Sequence, residues 1–424
     1  MLLQNYITPK EKEANILFFL ITISILIRIP IILLFGDKSL ENEWSTLVNN
    51  LVMHGTLAYF NFDGLLVPNL WMPPLYAYYL YLLSFFNFGN ENYILLILST
   101  QILLSSIAVC IFYKISRIFF SYKLSLYSSL VFSLFPLYLY ASSQISSVSL
   151  TVFLMVFFYY YFFKITKKNN FLYILLFSLF AGLLILTNRE FILIIILTTI
   201  YLLLFFKKPV KDILLILLIS TLIISPYLIR NYTAFDKIII HAGFGYNLWK
   251  GNNPSAGVEG FAQAEPGTLS PAAFNSIDDF NDMKLKLENV PKDKFYRINH
   301  DKIYLEEAIK NIKENPTTYL ISYFKKLISY IFIDLNSTQP NYYNPSNYLP
   351  VLLIAIMSTL GIFVSNKKSY HLNYLILVYI FYITVIPAFA VLPRYKLYII
   401  PLQIMLSFVF INFIKEKFLN FKKT

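Results

Sequence analysis

The run ANILFFLITISILIRIPIILLF, residues 14–35, is interrupted by one charge, Arg28. It is long enough to cross the hydrocarbon core of a bilayer, which takes about 20 residues of helix. Further runs of the same kind occupy 93–113, 123–141, 148–166, 171–187, 191–206, 212–230, 347–365, 371–392 and 397–414. A soluble chain carries roughly a quarter of its residues charged, whereas here 14% are charged and 57% are hydrophobic. The pattern implies an all-α polytopic membrane protein, a bundle of about ten transmembrane helices.

The net charge of +12 would suit nucleic acid if it were gathered on one patch, but it is dispersed. Its lysines and arginines fall between the apolar runs: Lys114, Arg117 and Lys123; Lys164, Lys167 and Lys168; Lys207, Lys208 and Lys211; Lys367 and Lys368; Lys415, Lys417, Lys422 and Lys423. That is the footprint of cytoplasmic loops, and no nucleic-acid partner is expected. The segment 74–88 is apolar but short, as interfacial or re-entrant helices are. If it does not span, all five clusters and Lys10 and Lys12 share the cytoplasmic side; if it spans, every later cluster moves outside. The first arrangement puts both termini inside a cell inner membrane. The first run is too long for a signal-peptide core and lacks a small-residue cleavage site. A single cysteine, Cys110, allows no intrachain disulfide.

The resulting organisation is a cytoplasmic N-terminus and first span (1–35), an outer loop (36–92), a six-span core (93–230), an outer segment (231–346), three further spans (347–414) and a basic tail (415–424). Within the outer segment, 315–332 reads as an amphipathic helix at the interface, interrupted by Lys325 and Lys326. About 250–295, rich in breakers, reads as loop.

Polar residues at the outer membrane level are costly there and so are functional candidates. Asp37, Glu41 and Glu43 open the outer loop and offer a carboxylate base. Asn188, Arg189 and Glu190 break two runs, Arg230 and Asn231 close the seventh span, and Arg394 and Lys396 precede the tenth. Arg189, Arg230, Arg394 and Lys396 suit a phosphate anion. The stretch GYNLWKGNNPSAG, 245–257, gathers Gly, Asn and Pro in an otherwise apolar chain; Asn247, Asn252 and Asn253 could bind sugar hydroxyls, with Trp249 as a stacking face. The four histidines show no paired ligand spacing, and no Walker or GxGxxG motif is present.

PYLIRNYTAFDKIIIHAGFGYNLWKGNNPSAG (226–257) is similar to a segment of bacterial polyprenyl-phosphate-sugar-dependent glycosyltransferases. These are GT-C membrane enzymes related to protein O-mannosyltransferases and lipid A aminoarabinose transferases. EWSTLVNNLVMHG (43–55), MPPLYAYYL (72–80), TNREF (187–191) and PRYKLYIIPL (393–402) resemble further pieces in the family's order. Leu40 stands where the family often has the Asp of an Asp-Glu pair, and Val148 where it commonly has an acid. The resemblance implies a GT-C-like bundle with outer-side loop helices and a mixed, partly irregular outer segment. It implies an inverting transferase that moves a monosaccharide from a polyprenyl-phosphate donor to a glycan, lipid or protein acceptor on the periplasmic face. The base is expected at Glu43, then Glu41, then Asp37, and the donor phosphate at Arg189, Arg230, Arg394 and Lys396. Substrate contacts are expected at Asn188, Glu190, Asn231, Asn247, Trp249, Asn252, Asn253, Tyr76 and Tyr395. No cofactor is required, with a divalent metal left open. A flippase for lipid-linked sugars and a non-catalytic subunit of an envelope glycan complex are the competing readings.

Overall fold

A computed structural model describes residues 9–41, 43–86, 89–261, 268–365 and 369–421; Lys367, Lys368, Lys422 and Lys423 lie outside the described residues. The chain begins with α1 (Pro9–Phe35), α2 (Glu43–His54), a hairpin of β1 (Ala58–Phe62) and β2 (Leu65–Pro68), and α3 (Pro74–Ser84). It continues through α4 (Asn90–Ser116), α5 (Tyr122–Leu134), α6 (Pro136–Ser143), α7 (Val148–Lys167), α8 (Phe171–Thr187), α9 (Phe191–Leu204) and α10 (Val210–Phe235). Four helices follow, α11 (Phe244–Gly251), α12 (Ile277–Glu288), α13 (Tyr296–Glu314) and α14 (Pro316–Ile331), and then α15 (Pro345–Val364), α16 (Tyr370–Val385) and α17 (Ile400–Phe421).

The protein is a multi-pass, all-α membrane bundle. Every expected span is an apolar helix, though their lengths differ. Six helices (α1, α4, α7, α10, α15 and α16) are long and apolar enough to cross a membrane, and the α5–α6 pair makes a seventh if it counts as one span. That pair is bent by 48° where Pro136 opens α6, because a proline favours the first turn of a new helix and cannot continue the old one. α8 and α9 are shorter, at 17 and 14 residues, and α17 carries Lys415, Glu416 and Lys417 near its end. α15 packs on α17, α8 on α10, and α4 on α7 and α1. Several polar groups inside the bundle are paired with one another, as Ser128 Oγ to Ser116 Oγ at 3.0 Å, since lipid offers them no partner.

Basic groups gather at one end of the bundle. Arg117 lies 3.6 Å over the Tyr122 ring and Lys12 5.3 Å from it, while Thr166 meets His371 at 2.9 Å and Tyr201 donates to Tyr370 O. The ends of α1, α4, α5, α7, α9 and α16 therefore converge as the charge pattern requires. The opposite, loop-bearing end holds the remaining elements. There, Asp63 and Gly64 both take positive φ, forming the Asp-Gly turn that joins β1 to β2. α3 has 11 residues, too few to span.

Two expectations for 231–346 are revised. The stretch 250–295, read as loop, is partly ordered. Ser276 caps α12 by accepting from Asp279 N at 3.1 Å, and Trp249, Phe274, Met283, Leu287 and Tyr304 form a second apolar core with it. α14 is amphipathic as expected, with Leu320, Ile321, Phe324 and Ile328 exposed on one side. Its Lys326, however, points inward: it is fully buried and donates to Gly251 O at 2.6 Å and Asn252 Oδ1 at 3.2 Å.

Candidate functional site

The loop end contains a cavity of about 1050 Å³. One side is membrane-like: Ile31 and Phe35 from α1, Leu137, Leu139 and Tyr140 from α6, and Val351 from α15. The other is polar, formed by Gln144, Gln339–Tyr342, Asn344, Asn347 and Tyr348 together with Arg394. A concave site with an apolar bed and a few placed polar groups is what an amphiphilic ligand requires.

Asp37 stands at the rim. It follows α1 two residues after Phe35, and its Oδ2 accepts from Ile145 N at 2.6 Å while its own N–H donates to Ser143 O at 3.1 Å. Gln144, between those two residues, lines the cavity and donates to Phe35 O at 2.8 Å. The α6–α7 turn thus fixes one carboxylate oxygen of Asp37 and leaves the other oxygen for a second partner. Asp37 is half-buried, whereas Glu41 and Glu43 are exposed. Glu43 opens α2, whose buried face is Trp44, Leu47, Val48 and Leu51. Asp37, placed last by sequence, is thus the one of the three held by the backbone of Ile145 beside the cavity lining.

Of the four expected phosphate ligands, only Arg394 lines the cavity with its side chain exposed; its guanidinium lies 5.6 Å over the Tyr395 ring. Lys396 also borders the cavity, but its ammonium is buried and occupied. It donates to Ser329 O at 2.5 Å, Tyr330 O at 2.9 Å and Phe332 O at 2.6 Å, and Gln403 Nε2 reaches Ile331 O at 3.1 Å. The four terminal carbonyls of α14, which have no partner within their own helix, are all met this way. Burial pulls the Lys396 ammonium down to about 7, against the opposing pull of Asp334.

Arg230 is a clamp. It donates to Asn69 O at 3.0 Å, to Leu57 O at 2.6 Å and to Asn231 Oδ1 at 2.6 Å, which ties both ends of the hairpin to α10. Asn231, fully buried, donates to Ile239 O at 2.6 Å. Arg189 donates to His241 Nδ1 at 3.1 Å, and His241 Nε2 is turned to Trp71 O. Burial and the neighbouring Arg189 and Arg297 hold the His241 imidazole at about 3, so it is neutral. Its Nε2–H faces a carbonyl and Nδ1 accepts. Asn188 Nδ2 donates to Tyr398 OH at 2.7 Å, and burial pushes the Glu190 carboxyl up.

The Asn/Gly stretch is structural rather than exposed to a ligand. Trp249 is 0% exposed, with Phe274 at 5.6 Å and Tyr304 at 5.0 Å from its ring, so it offers no face for stacking. Asn252 donates to Leu248 O and Ala388 O at 2.8 Å each. Asn253 donates to Trp249 O at 3.2 Å and accepts from Ser255 N at 3.0 Å, and Asn247 donates to Gly243 O at 2.7 Å. At Gly251 a Cβ would strike the backbone of Phe389 and Ala390. The polar, tightly turned segment exists to seat α11 on the strand-like stretch before Pro393. Tyr76 is buried and donates to Gln101 Oε1 at 2.9 Å; Tyr395 gives its carbonyl to Tyr330 OH at 3.1 Å.

The structure adds residues that sequence reading missed. Arg297, buried, stacks 3.5 Å over Trp71, and the polar wall 339–348 belongs to the cavity. Among the described residues no group of three or more His, Cys, Asp or Glu side chains comes together.

The family model for dolichyl-phosphate-mannose-protein mannosyltransferases matches residues 71–229, which takes in α3 to most of α10. No curated protein matches. Among solved structures, the oligosaccharyltransferase AglB from Archaeoglobus fulgidus, in complex with an inhibitory peptide and a dolichol-phosphate, aligns over 96% of this chain and 51% of its own, with TM-score 0.56 at 14% identity. The apo form of the Archaeoglobus fulgidus oligosaccharyltransferase gives TM-score 0.58 at 12% identity over the same shares. ArnT from Cupriavidus metallidurans bound to undecaprenyl phosphate aligns over 93% of this chain and 76% of its own, with TM-score 0.44 at 10% identity. The chain spans about half the length of the oligosaccharyltransferase structures, and the shared architecture is the expected GT-C fold.

Proposed function

We propose that the chain is an inverting glycosyltransferase of the GT-C kind, a reading supported by the fold it shares with the oligosaccharyltransferase structures and by the family match over residues 71–229. Its donor is a polyprenyl-phosphate monosaccharide, and its acceptor is a glycan, lipid or protein hydroxyl on the outer face of the inner membrane. The observation that carries this reading is the cavity that joins an apolar bed at Ile31, Phe35, Leu137 and Leu139 to the single exposed cation Arg394, with Asp37 at its rim. The polyprenyl chain lies along the apolar bed, and Arg394 meets the phosphate through its planar fork.

In the transfer step, the Asp37 carboxylate takes the proton of the acceptor hydroxyl. The freed oxygen pair forms the new bond to the anomeric carbon. The bond from that carbon to the phosphate oxygen breaks, and its electron pair leaves on the polyprenyl phosphate, whose growing charge Arg394 stabilises. Phosphate is already a good leaving group, so no protonating acid is needed. A general base of this kind contributes about 10²–10⁴-fold.

The test is release of polyprenyl phosphate from labelled donors by purified protein with a membrane extract, scored together with label transfer. Asp37→Asn is expected to lower turnover by about 10²-fold or more while donor binding persists, with Glu43→Gln and Glu41→Gln close to wild type. Full turnover in Asp37→Asn with loss in Glu43→Gln would return the base to α2. No release from any donor by folded protein would favour a flippase or a non-catalytic subunit.

A further inference from the structure

The polar wall of the cavity is built from one segment that precedes and opens α15, and its chemistry narrows the ligand. Gln339, Asn341, Tyr342, Asn344, Asn347 and Tyr348 line it. All are uncharged, and no carboxylate stands among the described lining residues. The wall is held by bonds within itself: Asn347 Nδ2 donates to Asn341 O at 3.1 Å, Asp334 N to Tyr342 OH at 2.8 Å, and Ser346 N to Asn344 Oδ1 at 3.1 Å. These bonds use one polar atom of each amide. They leave Asn344 Nδ2, Asn347 Oδ1 and the Tyr348 hydroxyl without a partner among the described residues. That is a mixed set of neutral donors and acceptors, which suits hydroxyl groups.

A second observation lies outside the cavity. Glu259, some 80 residues earlier in the chain, takes three consecutive side chains on one carboxylate: Ser337 Oγ on Oε1, and Thr338 Oγ1 and Gln339 Nε2 on Oε2, each of the last two at 3.3 Å. Glu259 is itself anchored, since its neighbour Val258 accepts from Val391 N at 2.8 Å. Its carboxylate thus joins the end of the Asn/Gly stretch to the start of the wall, and the Gln339 it holds is a lining residue. An ionised carboxylate can accept about four such bonds, so one residue sets the position of the whole turn.

We propose that the wall 339–348 is the glycosyl-recognition face of this cavity, that it takes an uncharged sugar unit, and that Glu259 is the residue positioning it. This rests on the donor-site reading given under Proposed function. A cationic amino sugar is disfavoured on this wall because the wall itself presents neutral amides and phenols and no carboxylate to an ammonium, and Arg394 repels it. Hydroxyls of a neutral hexose or pentose, or an N-acetyl group, are met by the amides and phenols. Glu259 touches no substrate, so its effect is expected in binding and selectivity rather than in the bond-making step.

The experiment measures binding of three short-chain lipids to the purified full chain: bare polyprenyl phosphate, the same lipid carrying a neutral hexose, and the same lipid carrying a 4-amino sugar. The wild type is expected to bind the hexose lipid at least tenfold more tightly than the bare phosphate, and the amino-sugar lipid no more tightly than the bare phosphate. Glu259→Ala is expected to erase the hexose advantage while leaving bare-phosphate affinity within about threefold, with Glu259→Gln between the two. Asn347→Ala and Tyr348→Phe provide the same reading if Glu259→Ala folds poorly. Equal binding of hexose and bare lipid, tighter binding of the amino sugar, or an unchanged hexose advantage in all these variants would overturn the proposal. If the wild type binds none of the three lipids, the donor-site reading fails and the proposal falls with it. Hexose binding without turnover would sink only the transferase reading and uphold the wall.

Discussion

Two cations sit two residues apart at the loop end in opposite surroundings: Arg394 is exposed at the cavity and Lys396 is buried on the end of α14. Lys396→Met removes three charge-assisted bonds to the carbonyls of Ser329, Tyr330 and Phe332. Hydrogen bonds to charged groups contribute about 1.5–3 kcal/mol each, and the variant also relieves the cost of holding a buried ammonium, several kcal/mol. The net loss expected is about 1–4 kcal/mol, because the carbonyls left without a donor cost about 1–3 kcal/mol each and the relieved burial of the ammonium offsets part of it. Arg394→Gln alters an exposed side chain and is expected to change stability by about 0.5 kcal/mol or less. Cys110, the one cysteine of the chain and half-buried in α4, reports unfolding through a thiol-reactive fluorophore during a thermal ramp. Lys396→Met should react several degrees earlier than wild type, while Arg394→Gln should melt with wild type yet bind polyprenyl phosphate about tenfold or more weakly. A Lys396→Met protein that melts normally but loses lipid phosphate binding would refute this division and make Lys396 the phosphate ligand.

Arg230→Met should release the hairpin from α10, since Leu57 O and Asn69 O lose the guanidinium. The cost is about 2–4 kcal/mol, read as faster proteolysis within 58–68, and Arg230→Lys should rescue little because lysine lacks the two separate nitrogens, Nη1 and Nη2, that reach Asn69 O and Leu57 O. The structure also sets an acid response. Burial, with Arg297 beside it, holds His300 at about 4, and His241 stands at about 3, both below the free value near 6.5. The unfolded chain therefore binds more protons between those limits. Stability is full above about pH 6.5 and falls as pH drops toward 4, by about 1.4 kcal/mol per unit for each histidine. Fluorescence of buried Trp249 during urea unfolding from pH 7 to 4.5 measures that slope, and His300→Phe should halve it; an unchanged slope would show that His300 is protonated in the folded chain.

The bundle was legible because lipid makes backbone satisfaction compulsory: a long uncharged run in a membrane has to be helical, and each such run is, with 123–141 split into α5 and α6 at Pro136. The end at which the lysines gather was legible for the same reason. The Asp63-Gly64 hairpin carried its own turn dipeptide and was available to sequence reading. α12 and α13 were hidden, since short charged helices on a small core look like loop until Trp249 and Tyr304 are seen facing each other. The cavity wall at 339–348 was hidden more deeply, because its members become one surface only through the packing of α1, α6 and α15.

Cations at the membrane level stood out in the sequence, but the sequence could not say to what they are bound. Lys396, Arg230 and Arg189 face acceptors supplied by the protein itself: helix-terminal carbonyls, hairpin carbonyls and a neutral imidazole. A carbonyl oxygen leaves no pattern in a sequence, since every residue has one. The same holds for Asn252 and Asn253, whose amides look like sugar ligands and instead close their own turn. What separates Arg394 from its neighbours is that its guanidinium meets an open cavity and not a helix end. Asp37, whose one oxygen is held by Ile145 N beside the lining residues Phe35 and Gln144, is likewise told from Glu41 and Glu43 by its surroundings and not by its place in the sequence.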